Sequence, residues 1–321
     1  MAVLCLTVVG VSACGSSHHA LHAAEPARAP ATATTPAGKV VAVGASPEGV
    51  VYDPVTDLVA VAVHDPDRLL LLDPATLALR RTVPLPGTVR HLQLSAPGGP
   101  VLVPVESAAE LIEVSLPDGG QSVAVPVGKQ PHDAAASGGD VVVGNEFGRS
   151  ISIIQDGVVL KTIADVVQPG GVIGDGSTVA VVDVGAFTVG TYNLHTLTRT
   201  AVVPAGKGPT HGVLASGQRL IVADTRGDAM LVFSVSPLRQ VASLALPGTP
   251  YGLAMDASTG TLWVTLTALN EVVGLDVTGA VPRVIARYPT VRQPNTVAVA
   301  PGSHTLWVTG TDAGVVERIS R

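Results

Sequence analysis

Short apolar runs rich in Val, Leu and Ile recur from about residue 39 to the end of the chain, separated by Gly, Pro, Asp and Thr. β-Branched runs between such breakers predict strands. A helical period of three to four residues is sustained nowhere. The runs fall into groups. One phrase, a proline with one or two polar residues ahead of an apolar run, recurs as Ser46-Pro47-Glu48-Gly49, Gln130-Pro131-His132-Asp133, Gln168-Pro169-Gly170-Gly171, Gly208-Pro209-Thr210-His211, Thr249-Pro250-Tyr251-Gly252 and Gln293-Pro294-Asn295-Thr296. Thr88-Val89-Arg90-His91 is a seventh copy that has lost its proline. Counted from 47, 89, 131, 169, 209, 250 and 294, the steps are 42, 42, 38, 40, 41 and 44 residues.

Each repeat holds four strand-like runs. The second is the clearest, as in Leu58–Val63, Val101–Val105 and Leu262–Thr265, and a third follows, as in Leu69–Leu72 and Val272–Leu275. Four strands in about forty residues is the period of a propeller blade. Blades packed radially cover both faces of each sheet, which accounts for apolar runs that do not simply alternate. The pattern predicts an all-β chain: a single seven-bladed β-propeller of four-stranded antiparallel blades over 39–321. The last repeat ends after Val315–Ile319 and lacks an outer strand, while Lys39–Val43 is an orphan run. Pairing the two closes the ring and removes an unpaired edge. A solenoid, the rival architecture, needs polar capping repeats, and neither end shows one.

The amino terminus reads differently. Residues 1–13, MAVLCLTVVGVSA, are apolar and uncharged, the length of a signal-peptide core rather than of a membrane span. No basic residue precedes that core, so either the true start lies upstream or export is inefficient. Residues 14–38 are dominated by Ala, Pro, Thr and Ser. That composition predicts a flexible tether, reaching roughly 25–30 Å. The only two cysteines are Cys5 and Cys14, so the propeller is expected to fold without a disulfide.

Composition narrows the function classes. The 321 residues carry a net charge of −6 and only 3% aromatics, against nucleic acid as a partner and against a sugar- or base-stacking surface. The 35 Gly and 25 Pro agree with many turns. HExxH, Gly-x-Ser-x-Gly, a phosphate loop with Lys and an EF-hand loop are all missing from the sequence.

Two resemblances add to this. Val11-Ser12-Ala13-Cys14 resembles a bacterial lipobox, which implies acylation of Cys14, a lipid anchor and placement on the extracytoplasmic face of the cell membrane. The blades resemble YVTN-type seven-bladed propellers, related to NHL and streptogramin-lyase propellers. The residues that carry it are Leu262-Trp263-Val264-Thr265, Leu306-Trp307-Val308-Thr309 and the turn Leu72-Asp73-Pro74-Ala75-Thr76, with Val143-Gly144-Asn145 and Val222-Ala223-Asp224 as looser copies. That resemblance implies the fold and leaves activity open, since such propellers host several functions. Streptogramin-lyase-like propellers use His and an acid with a metal on the loop face.

In a propeller, the loops that enter the inner strands share one face with those joining strands two and three. The inner phrases bring Glu48, Arg90, His91, His132, Asp133, His211, Tyr251 and Asn295 to the channel mouth as candidate ligand-binding residues. His91, His132 and His211 occupy corresponding positions of repeats two, three and five, so their rings can meet near the axis and hold a divalent transition metal. An anionic or polar small molecule bound with Arg90 is the other use of the same groups. Asp133 follows His132 directly, and neighbours on a strand point oppositely, so both reach one site only from a loop. The expected function is a monomeric, lipid-anchored scaffold that binds a small molecule or protein at this face; the alternative is a metal-dependent lyase or lactonase using the histidines.

Overall fold

The structure, a computed structural model, describes residues 22–216 and 218–320. The signal segment 1–13 and Cys14 lie outside the described residues. Seven four-stranded antiparallel sheets follow one another along the chain, each ordered from an inner to an outer strand. The first blade is typical: Ala45–Asp53, Leu58–His64, Arg68–Leu72 and Leu79–Pro84. Second strands are buried along their length, Val101–Val105 at every position, because a blade lies on each side. Outer strands meet solvent, as Leu79–Pro84 does at all but Val83. The core is a series of inter-blade clusters. Val101, Val103 and Ile112 of blade two pack on Ala60, Ala62 and Leu71 of blade one, and each such aliphatic side chain contributes about 1.5–3 kcal/mol by leaving water.

The turns between blades are fastened by short polar side chains. Asp53 Oδ1 accepts the Gly98 N–H of the next blade at 2.7 Å, and Asp256 Oδ2 accepts Gly302 N–H at 3.0 Å. In the Asp73-Pro74-Ala75-Thr76 turn, Asp73 Oδ1 takes both the backbone N–H and the hydroxyl of Thr76. Those bonds, with Arg80, hold its carboxyl well below the usual range.

The ring closes as the orphan run predicts. Lys39–Ala42 is the outer strand of the last blade, antiparallel to Val315–Ile319, with Val41 opposite Val316. Beside this pairing, Gly38 approaches so closely that a Cβ would stand 2.2 Å from Arg318 O. Glu317, fully buried, accepts hydrogen bonds from Gly38 N–H at 2.6 Å, Val291 N–H at 3.1 Å and the Thr290 hydroxyl.

The first strand of a blade does not start cleanly. In blades three to seven the ladder slips by one residue just after the proline, between Pro131 and Asp133, Pro169 and Gly171, Pro209 and Gly212, Pro250 and Leu253, and Pro294 and Val297. Blade one slips around Glu48. A bulge leaves the extra residue unpaired and re-aims its side chain. Here the re-aimed residues include His132, His211, Tyr251 and Asn295. In blade two the inner strand shrinks to Gln93–Leu94, and Arg90 and His91 stand on irregular backbone ahead of it.

One stretch departs from its expected behaviour. Residues 22–30, read as part of a flexible tether, lie across the loop face and are hydrogen-bonded to it. Ala29 is 3% exposed.

Glu317 supplies the test of closure. Glu317→Ala leaves the buried Val291 N–H and Thr290 hydroxyl and the half-buried Gly38 N–H without an acceptor, and is expected to cost about 2–4 kcal/mol in urea unfolding. Burial pushes the Glu317 carboxyl up, outweighing its three donors. Its contribution is therefore complete below the unfolded value and is lost as pH rises through the folded one. The stability of the native chain relative to Glu317→Gln should grow as pH falls from above the raised folded value toward the ordinary glutamate range; a difference that shrinks as pH falls contradicts the assignment.

Candidate functional site

Bulges present His132 and His211 at the channel mouth, and the irregular backbone ahead of Gln93–Leu94 brings His91 to meet them. Ring centroids are 4.6 Å apart for His91 and His132, 4.3 Å for His91 and His211, and 6.2 Å for His132 and His211. His91 Nε2 and His211 Nε2 face each other at 3.0 Å. One ring nitrogen from each of the three lies within 4.8 Å of the others. The Tyr251 ring meets His211 edge-on at 4.6 Å.

The acids come from the second loop set. Glu106 and Glu146 follow the second strands of blades two and three, and their N–H groups bond to Thr88 O and Gln130 O, both at 2.8 Å. This repeated bond places both carboxylates beside His132. Nδ1 of His132 lies 2.7 Å from Glu106 Oε1 and 3.4 Å from Glu146 Oε2, so Glu106, His132 and Glu146 form a second group of metal-ligating type. Gln168 Nε2 donates to Glu146 at 2.8 Å. Arg90 stands among acids without closing on any: 3.8 Å to Glu106, 4.0 Å to Glu48 and 3.8 Å to Glu25. Asn295 Nδ2 donates to Glu48 at 2.6 Å.

Protonation follows from these neighbours. Burial, with the other two histidines and Arg90 nearby, holds His91 well below its ordinary value. Burial and the His132 charge push His211 down to about 3. Burial also lowers His132, but the Glu106 hydrogen bond and the Glu146 charge outweigh it and raise the ring. At neutral pH, His211 is therefore held neutral. Its Nδ1 is buried without a hydrogen bond of ordinary geometry, though the Tyr251 backbone favours the protonated ring slightly.

Neutral imidazoles are lone-pair donors, three carboxylates surround the one guanidinium, and a fourth, Glu146, lies beside His132. This balance suits a cation and opposes the anion-binding use of the same residues. The donor set fits a transition metal. Two nitrogens bound at about 2.0–2.1 Å to a tetrahedral ion stand roughly 3.3 Å apart, close to the 3.0 Å between His91 and His211. His132 engages Glu106 through Nδ1, leaving Nε2 as its free donor, the carboxylate–histidine pairing that orients a metal-binding ring.

Of the residues predicted from sequence, Glu48, Arg90, His91, His132, His211, Tyr251 and Asn295 meet at this mouth. Asp133 turns away into the wall of the channel. Its carboxylate accepts Val172 N–H and Ala134 N–H at 2.9 Å and Gln93 Nε2 at 2.9 Å. The reason is the strand alternation that places successive side chains on opposite sides. The channel below holds a cavity of about 470 Å³ with His91 and His211 in its wall. Glu106 and Glu146 stand in loops joining second and third strands, and nothing in the sequence aims them at His132. Asp183 and Asp224 of the same loop set brace the chain, accepting the N–H groups of Val167 and Gln168, and of Lys207 and Gly208.

No family model matches the sequence, and no curated protein does. Solved structures match in fold. Hydrazine synthase from Kuenenia stuttgartiensis superposes with a TM-score of 0.75 at 15% identity, covering 86% of this chain and 96% of that one. A streptogramin B lyase structure gives 0.72 at 12%, over 88% and 96%. Virginiamycin B lyase from Staphylococcus aureus gives 0.72 at 15%, over 88% and 99%. At these identities the likeness establishes a seven-bladed propeller and nothing finer.

Proposed function

We propose that the protein is a metal-dependent enzyme of the lyase or lactonase kind, with a divalent transition-metal ion on His91, His132 and His211. The observation that carries this reading is the gathering of three imidazole nitrogens from blades two, three and five within 4.8 Å. The fold shared with streptogramin B lyase and virginiamycin B lyase supports the class. Bound there, the ion would act as a Lewis acid toward a carbonyl or leaving oxygen. Glu106 fixes the tautomer and tilt of His132 through the 2.7 Å contact. Arg90, held 3.8–4.0 Å from three carboxylates, is placed to orient a substrate oxygen when Glu25 withdraws. Asn295 holds Glu48 in place.

A second reading, a binding scaffold without chemistry, is favoured by one observation: residues 22–30 already dock on this face as an extended chain. For location, we propose a lipid anchor at Cys14 and an extracytoplasmic monomer of the YVTN type. That proposal rests on the lipobox-like and blade motifs.

Elemental analysis after incubation with Zn²⁺ or Co²⁺ and desalting tests the metal. The expected content is about one ion per chain, lost in the His132→Ala, His211→Ala double variant, with Glu106→Gln weakening affinity about tenfold. A metal-free native protein, or a double variant that keeps its metal, removes the enzyme reading. For the anchor, Cys14→Ser should move the protein from the membrane fraction to the soluble one. Retention in the membrane fraction contradicts lipidation at that residue.

A further inference from the structure

The segment over the histidines is held in a particular way: nearly every bond runs to its main chain. Arg226 Nη2 donates to His22 O at 2.6 Å and Ala23 O at 3.0 Å. Thr267 Oγ1 accepts Ala27 N–H at 3.1 Å. Gln293 makes a two-pronged contact, its Nε2 donating to Ala27 O at 2.9 Å and its Oε1 accepting Ala29 N–H at 2.8 Å. A side-chain amide used this way copies the donor and acceptor of a neighbouring strand. Asn270 Nδ2 adds a bond to Pro30 O at 3.0 Å.

The fit is also steric. Gly208 lies against Ala24, and a Cβ on Gly208 would stand 2.8 Å from the Ala24 methyl carbon. Ala24 and Ala29 are both buried, so the groove admits small side chains at these two places. The only side chain of the segment that pairs with the face is Glu25, 3.8 Å from Arg90. Ala24 and Glu25 thereby roof the hollow formed by His132, His211, Glu146 and Tyr251.

We propose that the loop face carries a groove across blades five to seven that recognises the main chain of an extended peptide with a carboxylate directed at Arg90. Residues 22–30 are its resident occupant. The inference stands on the groove contacts and does not require the metal. The segment is joined to the closing strand by residues 31–38, so its local concentration is on the order of millimolar. A competing peptide at micromolar concentration does not displace it, and binding from outside requires the resident segment to leave. While docked, it covers the outer side of the histidine cluster.

The test uses the full chain and a fluorescein-labelled peptide of residues 22–30, followed by fluorescence anisotropy. Ala24→Arg with Ala29→Arg expels the resident segment and leaves every blade residue intact. That variant should bind the peptide at least tenfold more tightly than the native chain. Adding Gln293→Ala or Thr267→Val to it should weaken binding several-fold, and a peptide with Glu25→Gln should bind more weakly than the native peptide. Equal binding by native and expelled chains overturns the proposal. So does absence of binding to an expelled chain that unfolds at the native temperature. Equal affinity of the Glu25→Gln peptide removes the carboxylate from the recognition. Metal content, measured on the same variants, separates the two accounts: peptide binding without metal sinks the enzyme reading alone, and metal without peptide binding sinks the groove alone.

Discussion

The slip just after the proline, present in six of the seven inner strands and replaced in blade two by irregular backbone ahead of Gln93–Leu94, is the constraint on which the site depends. A regular strand would send alternate side chains to the two faces of the blade, into the neighbouring sheets. The bulge leaves one or two residues unpaired where the strand meets the channel mouth, and those side chains turn toward the axis instead. Gln130, Thr249 and Gln293, the residues just before the proline, have φ of 50°, 60° and 58°. The chain thus reverses direction tightly at the same place in several blades. Histidines 41, 79 and 120 positions apart in sequence become ring neighbours for this reason.

Convergence also requires a closed ring, because an open stack of blades has no axis. Closure rests on one strand pair, Lys39–Ala42 with Val315–Ile319, and on the buried Glu317 that ties it to Thr290 and Val291 of the neighbouring connection. Trp307 helps on the inner side: it stacks on Tyr52 at 4.6 Å and donates Nε1–H to Pro74 O at 3.0 Å, joining the last blade to the first. The terminal strand and the histidines are therefore linked mechanically although they share no contact.

The blades were legible because each repeats a proline phrase and a fully apolar second strand. The histidine cluster was legible because equal positions in a ring share an axis. Asp133 shows where that reasoning stops, since a residue one place along the phrase points into the channel wall. The docked segment could not be read at all. Its Ala-Pro composition carries no periodicity, and the face holds it through main-chain groups that every sequence possesses. Glu106 and Glu146 were visible only as acids in loops. Their aim at His132 comes from backbone bonds to Thr88 and Gln130, which pattern alone does not reveal.

At the mouth, burial keeps two imidazoles neutral while carboxylates outnumber cations, and the two effects together make a cation the complementary guest. The most direct measurement is anomalous diffraction from crystals of the protein soaked in Co²⁺ or Zn²⁺. The account predicts one strong peak bonded to nitrogens of His91, His132 and His211, with Glu106 still on His132 Nδ1. A map without density among the three rings at saturating metal, with His91 and His211 still hydrogen-bonded to each other, contradicts it.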